Sequence, residues 1–361
     1  MTRLARGVLL VGGVLSVVAG CGADGPGPEV CRDVRTGPPC TKLSGFGLFR
    51  RPEAQEPAEG VWPFEPNSAL FSDYTLKYRF LYLPPGTQAQ YSEDEGFALP
   101  EGTILAKTFA YPLDARRPTE GIRLLETRLL IHRPEGWVAL PYVWDEAQQD
   151  AVLRPVGTTI DVSWIHTDGQ RREINYVVPN TNQCKECHED SRKVLGTIGV
   201  KARHLNRDYP YPWGSENQLA AWTRLGLLRG APPPEAAPRL PVWDDPRTGS
   251  QEQRARAWLE INCAHCHSPT GSARTSGLDL LYAQQRGYDI GVCKPPVAAG
   301  RGSGGRRYNI VPGRPDESIL VFRIESTVPD IMMPETGRRL PHTEGIALVR
   351  AWIESMPGTC P

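Results

Sequence analysis

The sequence predicts a multi-domain protein, with a β-sandwich-like domain in its N-terminal half and a mainly α part toward the C-terminus. Three observations lead there. Residues 61–180 alternate apolar and polar side chains with period two. Residues 231–246 hold six prolines, the composition of a stiff linker. Beyond them, three segments carry apolar side chains at helical spacing. A chain of 361 residues allows two or three domains, and 40% hydrophobic with 23% charged residues is enough to build cores. With 36 glycines and 35 prolines, turns are frequent and long helices few.

The first residues read as an export signal. Arg3 and Arg6 precede an apolar stretch over 8–19, too short to span a bilayer as a helix. Val18-Ala19-Gly20-Cys21 resembles the bacterial lipobox, which implies cleavage before Cys21 and a lipid on its sulfur. The other reading is an ordinary signal peptide, with Cys21 entering a disulfide. Gly22 in place of an aspartate implies, by analogy with lipoprotein sorting, the outer membrane of a Gram-negative host. The expected location is therefore exported and anchored to a membrane by lipid. Residues 21–60 read as a tether carrying Cys31 and Cys40.

In Leu76-Lys77-Tyr78-Arg79-Phe80-Leu81-Tyr82 the residues Leu76, Tyr78, Phe80 and Tyr82 share a strand face. Residues 103–111, 128–132 and 137–144 read similarly, and 161–166 with 171–178 flank the hairpin signal Asp168-Gly169. Residues 61–180 form the expected β-rich domain. From 181 the pattern changes, and a helix is expected over 216–228 before the proline-rich boundary. Further helices are expected over 251–267, 316–324 and 344–356.

The chemistry lies in one five-residue pattern that occurs twice, Cys184-Lys185-Glu186-Cys187-His188 and Cys263-Ala264-His265-Cys266-His267. Cys-x-x-Cys-His reads as c-type haem attachment. Two thiols one helical turn apart can each add to a haem vinyl group, and the next imidazole can take the iron. The competing readings are zinc and redox dithiols. Zinc ribbons space their halves by about 15–20 residues, whereas 75 residues separate Cys187 from Cys263. A dithiol pair needs no histidine after each motif. Two covalent haem c groups, with their iron, are therefore the expected cofactors, in segments 181–245 and 246–361.

A six-coordinate haem needs a second axial ligand. After signal removal the only methionines are Met332, Met333 and Met356. Met333, followed by Pro334, is the expected ligand of the second haem, with Met332 in reserve. Residues 22–331 contain no methionine, so His204, 16 residues after His188, is the nearest candidate for the first haem, ahead of His166 and His132. A surface role for His204, with an open first iron, is the alternative. The remaining Cys31, Cys40, Cys293 and Cys360 suggest two disulfides in an oxidising compartment. Three connectivities are possible, of which Cys31–Cys40 with Cys293–Cys360 is favoured.

Several classes are disfavoured. Lys and Arg number 41, as do Asp and Glu, so the chain has no phosphate-gripping charge. The basic spots Lys201/Arg203/Arg207 and Arg301/Arg306/Arg307 read as solvated faces. The Gly-rich run 300–305 lacks the Gly-Lys-Ser/Thr of a phosphate cradle and reads as a loop over a haem edge. No nucleophile-elbow or His-Glu-x-x-His motif occurs.

The last 115 residues resemble a class I-type cytochrome c domain. The residues that carry this are Trp258-Leu259-Glu260-Ile261-Asn262 before Cys263, then Val311-Pro312-Gly313, Ser318-Ile319-Leu320, Met333-Pro334 and Ala351-Trp352-Ile353. Residues from about 40 onward resemble a bacterial family of exported dihaem c-type cytochromes of unassigned role. That match rests on Leu70-Phe71-Ser72-Asp73-Tyr74, Lys77-Tyr78-Arg79-Phe80, Leu125-Glu126-Thr127-Arg128-Leu129, Asn180-Thr181-Asn182-Gln183 and Gly291-Val292-Cys293-Lys294-Pro295-Pro296. The resemblance implies a class I-type cytochrome c domain at the C-terminus. It also implies haem ligation by Cys184, Cys187, His188, Cys263, Cys266, His267 and Met333.

The expected function is single-electron transfer in the cell envelope, with redox proteins as partners, a lipid anchor in the membrane and no nucleic acid. A dihaem peroxidase-like oxidoreductase with an open first haem is the alternative. A third reading makes the β-rich domain a binder of carbohydrate or protein.

Overall fold

In the computed structural model, which describes Val30, Cys31 and residues 33–361, the period-two segments are strands. The expected signal 1–20 and the lipidation site Cys21 lie outside the described residues. Strands β1 (Phe49–Arg51) and β2 (Glu56–Pro57) make a small antiparallel ladder. Strands β3 (Val61–Pro63) and β4 (Leu76–Tyr82) come next, then the two-residue β5 (Ala89–Gln90). The long strands are β6 (Ile104–Pro112), β7 (Ile122–Arg133) and β8 (Gly136–Trp144), with β9 (Ala151–Leu153) at the edge. One antiparallel sheet runs in the order β3-β4-β6-β7-β8-β9. Strands β10 (Thr158–Ile165) and β11 (Arg171–Val178) form a separate hairpin. Its turn uses Gly169 at φ 81°, which glycine adopts without a Cβ penalty.

Alternation gives this sheet two different faces. Phe80, Ile104, Ala106, Leu129, Ile131 and Tyr142 form one core with Leu43 and Leu48. These two leucines come from the segment expected as a tether, which is stitched in from Cys40 onward. There the Tyr142 hydroxyl donates to the Cys40 carbonyl at 2.8 Å. The opposite face carries two separate apolar patches. Leu81 and Leu105 pack with Val200, Leu205 and Trp222. Phe109, Tyr111 and Leu125 pack under the hairpin residues Trp164, Tyr176 and Val178.

After the hairpin come α1 (Thr181–His188), α2 (Ala202–Leu205), the β12 (Asp208–Tyr211) and β13 (Gly214–Asn217) hairpin, and α3 (Gln218–Arg224). The helix expected over 216–228 is shorter because Asn217 caps it and Gly226, at φ 72°, ends it. Strand β14 (Leu228–Arg229) then pairs in parallel with β5. The proline-rich stretch is held against the body. Asn206 donates to the carbonyls of Pro234 and Ala237 at 2.7 and 3.0 Å, and Leu240 N–H to that of Arg203 at 2.9 Å.

The expectation of mainly α haem domains is corrected here. Only 23% of the described residues are helical against 26% strand, and a many-stranded antiparallel sheet dominates. Beyond residue 246 the helices are α4 (Gln251–Leu259), α5 (Gly287–Ile290), α6 (Ile319–Glu325) and α7 (Thr343–Glu354). Helix α4 continues as a π turn over Glu260–Ala264. Between them run long irregular segments, because Pro269, Pro295, Pro296, Pro312, Pro329 and Pro341 recur among many glycines. Trp258, Leu259, Ile310, Val321, Val349 and Trp352 bury this region's own core. Helix α7 crosses α4 closely at Gly345, where a Cβ would lie 2.2 Å from Trp258 Nε1.

The segment Phe71–Tyr74 locks the sheet to the C-terminal part. Asp73 Oδ1 accepts the N–H groups of Arg339 and Leu340 at 2.7 Å each. Phe71 N–H donates to Asn262 Oδ1 at 2.8 Å, and its ring stacks on His342 at 4.3 Å. His342 Nδ1 in turn accepts from Trp258 Nε1 at 2.9 Å, so this nitrogen carries no proton. Burial pulls His342 down from 6.5 to about 4. Its folded pKa is below its unfolded one, so its contribution is complete above pH 6.5 and is lost as pH falls toward 4. A His342→Phe variant is expected to flatten the stability–pH curve in that window by ~1.4 kcal/mol per pH unit, while costing about 1–2 kcal/mol at pH 7. Urea denaturation at several pH values measures both.

Candidate functional site

Helix α1 is set by its first turn. Asn180 Oδ1 accepts from Gln183 N–H at 2.9 Å, and Gln183 Oε1 accepts from Asn180 N–H at 3.0 Å, a reciprocal capping box. This brings Cys184 and Cys187 to one face, three residues apart, with His188 at the helix end. His188 Nδ1 lies 2.9 Å from the Gly196 carbonyl, which can only accept. Nδ1 therefore holds the proton, and the lone pair is on Nε2. Burial lowers the His188 pKa to about 4, so the ring is neutral at pH 7. A neutral imidazole with Nδ1 held by a carbonyl is the arrangement that metal-ligating histidines use.

The second motif begins in the π turn after α4, with Cys263 and Ala264 buried. His267 Nδ1 lies 2.9 Å from Ser276 Oγ, and burial lowers this ring's pKa too. The chain folds back tightly on the motif, and a Cβ on Gly271 would stand 2.1 Å from the Cys266 carbonyl oxygen. Burial raises the thiol pKa of Cys184, and that of Cys263 to about 12, so both remain S–H groups.

The two motifs, 75 residues apart in the chain, meet in space. Ligand atoms of Cys187, His265 and Cys266 all lie within 4.8 Å of one another. The Glu186 carbonyl accepts from Ser272 Oγ at 3.0 Å and from Cys266 Sγ at 3.5 Å. Cys187 donates toward Cys266, which raises the first thiol's pKa and lowers the second's. His265 keeps a buried Nδ1 without a partner. That trio also has donors suited to zinc, two sulfurs and one nitrogen.

Beside His188 opens a cavity of about 730 Å³, in the range of cofactor sites. Cys184, Cys187 and His188 form one wall, and Met332 and Pro334 part of another. Met332 is only 7% exposed, whereas Met333, its neighbour, packs instead against the core that contains Cys263. The floor is the sheet face between its two apolar patches, with Arg79, Lys107 and Arg128. Sequence reasoning missed this trio of cations. Strand alternation puts alternate residues of each strand on one face, but only the register places the three side by side.

Other expected ligands lie elsewhere. His204 is buried but does not line the cavity; its Nε2 lies 3.3 Å from Glu260 Oε1. His132 stacks on Trp137 with Nδ1 2.8 Å from the Leu99 carbonyl, and His166 abuts Tyr74. Arg203, expected on a solvated face, is held 3.7 Å from the buried Glu260 carboxylate. The Gly-rich run includes a 3-10 turn, Gly300–Ser303, against α6, away from the cavity. Cys31 bonds to Cys40, and Cys293 to Cys360. Met356 packs in the C-terminal core.

The methionine loop is held by Arg338. Its guanidinium donates to the carbonyls of Met333 at 2.8 Å, Ser326 at 2.8 Å and Ile324 at 3.2 Å, capping the C-terminus of α6. No family model, curated protein or solved structure matches the chain. Arg338→Leu is expected to leave these buried carbonyls unpaired and to cost ~3 kcal/mol or more. Urea denaturation of the variant against the parent protein reads that loss, and Arg338→Lys should recover only part of it.

Proposed function

We propose that the protein is a dihaem c-type cytochrome that passes single electrons in the cell envelope. The observation that carries this reading is the meeting of the two Cys-x-x-Cys-His turns, with Cys187, His265 and Cys266 in mutual contact. Haem c, when bound, supplies a one-electron iron couple. The chain's part is attachment, orientation and insulation. Cys184 and Cys187 would each add S–H across one vinyl group, forming a C–S bond and a C–H bond with no oxidant needed; Cys263 and Cys266 would do the same. His188 and His267, with Nδ1 already engaged, would present Nε2 to iron.

Met333 is proposed as the second ligand at the C-terminal haem. Met332, on the cavity beside His188, replaces His204 as the proposed second ligand of the first haem. Cys187 and Cys266, which approach each other, would hold two haems on neighbouring attachment turns. Electrons could then pass between the irons without a third carrier. Two disulfides agree with an oxidising compartment. Export, lipid attachment at Cys21 and redox proteins of the envelope as partners belong to the same proposal. Among the described residues no helix is long and apolar enough to cross a membrane.

A second reading, a peroxidase-like enzyme with an open first iron, is favoured by one observation. His204 is committed to Glu260, and the cavity beside His188 has room for a small substrate. The full chain, matured with haem, decides among these readings. Two haems per chain, a bisignate Soret circular dichroism band and no carbon monoxide shift are expected. Replacing Cys184 and Cys187 by alanine should leave one haem and remove the bisignate band. Met332→Ala should open the first haem to carbon monoxide, and Met333→Ala should lower the potential of the second. Bound zinc in place of haem would overturn the proposal, and carbon monoxide binding by the unmodified protein would favour the enzyme.

A further inference from the structure

The floor of the cavity is the least expected chemistry in the molecule. Arg79 pairs directly with Lys107 in the β4–β6 register, and Lys107 with Arg128 in the β6–β7 register. Three cations thus stand side by side on one sheet face, where like charges directly opposite each other are destabilising. Buried charges are retained when something pairs them. Arg128 has such a partner, since Glu126 takes it at 2.6 and 2.8 Å and is itself held by the Tyr176 hydroxyl at 2.6 Å. Lys107 has none. Among the described residues no carboxylate lies within ion-pair distance of Lys107 or Arg79, and the Lys107 ammonium rests over the Phe109 ring at 4.7 Å. Arg128 covers the same ring at 4.2 Å. Burial, together with Arg79, Lys77 and Arg128, depresses the Lys107 pKa, the mark of a cation short of a counterion. All three side chains line the cavity that Cys184, Cys187 and His188 also line.

We propose that Arg79, Lys107 and Arg128 form a carboxylate-binding site on the floor of the cavity. Two arginines offer planar, paired donors that match carboxylate geometry, and the lysine between them adds a point charge. Glu126 saturates one edge of Arg128 and leaves Arg79 and Lys107 for the ligand. Carboxylates can come from two sources here. One is the propionate arms of a haem held by Cys184, Cys187 and His188, in which case the inference rests on the function proposed above. The other is a free small carboxylic acid that enters the cavity as a substrate.

The test uses the full chain after haem maturation, with haem per chain counted first. The two reduction potentials are then measured in the unmodified protein, Lys107→Gln, Lys107→Arg and Arg79→Gln, and each protein is titrated with succinate. If the propionates are the ligand, Lys107→Gln and Arg79→Gln lower the first haem's potential and leave the second's unchanged. Lys107→Arg restores it, and succinate does not bind. If a free acid is the ligand, succinate binds the unmodified protein saturably, at least tenfold more weakly in Lys107→Gln, and with recovered affinity in Lys107→Arg. Either pattern supports the carboxylate site. Unmoved potentials in both glutamine variants, with no succinate binding, overturn it. A chain that matures without haem defeats the dihaem reading alone. The succinate titration then decides the site, with binding in its favour and no binding against it.

Discussion

A pleated sheet has two faces, and a single chain must cover both or leave one to water. Here one face is closed by a continuous apolar core that draws in Leu43 and Leu48 from the N-terminal segment. The other is covered in two places, by α2 and α3 at one end and by the β10–β11 hairpin at the other. The strip between them is not apolar. It carries Arg79, Lys107 and Arg128 in register, and the cavity opens above it. The position of α1, the shape of the cavity and the placement of the methionine loop all depend on that divided cover.

The divided cover also explains why the parts cannot be taken separately. Residues 181–245 bury Val200, Leu205 and Trp222 against the sheet, so the first Cys-x-x-Cys-His turn rests on a β scaffold. The C-terminal region has its own core, yet Asp73, Phe71 and His342 fasten it to the sheet through buried polar and aromatic contacts. Burial raises the Asp73 pKa against the two backbone N–H groups that favour its charge. Such a contact has directional geometry that apolar packing lacks. It fixes how residues 329–339 sit over the cavity, and so which methionine faces which motif.

The charge logic of the site is consistent with a bound cofactor. Burial keeps His188 and His267 neutral and keeps the Cys184 and Cys263 thiols protonated. Each is in the state its proposed role needs before a group arrives. The row of cations supplies the opposite sign to an acidic ligand. The low-dielectric walls of the cavity strengthen that attraction relative to open water.

Much of this was legible in the sequence. Strand β4 runs over Leu76–Tyr82 as the alternation indicated, and the Asp168-Gly169 turn joins β10 to β11, because local side-chain period and glycine's φ freedom are properties of a few adjacent residues. The doubled Cys-x-x-Cys-His pattern is local in the same sense. The mainly α expectation failed where prolines and glycines outweighed apolar periodicity, and α4, α6 and α7 are short islands in irregular chain. His204 was chosen for its nearness in sequence, but a buried imidazole goes to the nearest polar partner in space, Glu260. The sequence by itself determined the two Cys-x-x-Cys-His turns, since that pattern needs only residue type and spacing over one helical turn. Tertiary structure alone decided that the two motifs touch, that Met332 and Met333 pack on different sides, and that three cations line one floor. Those facts depend on strand register and on contacts between residues tens to hundreds of positions apart, which no local pattern encodes.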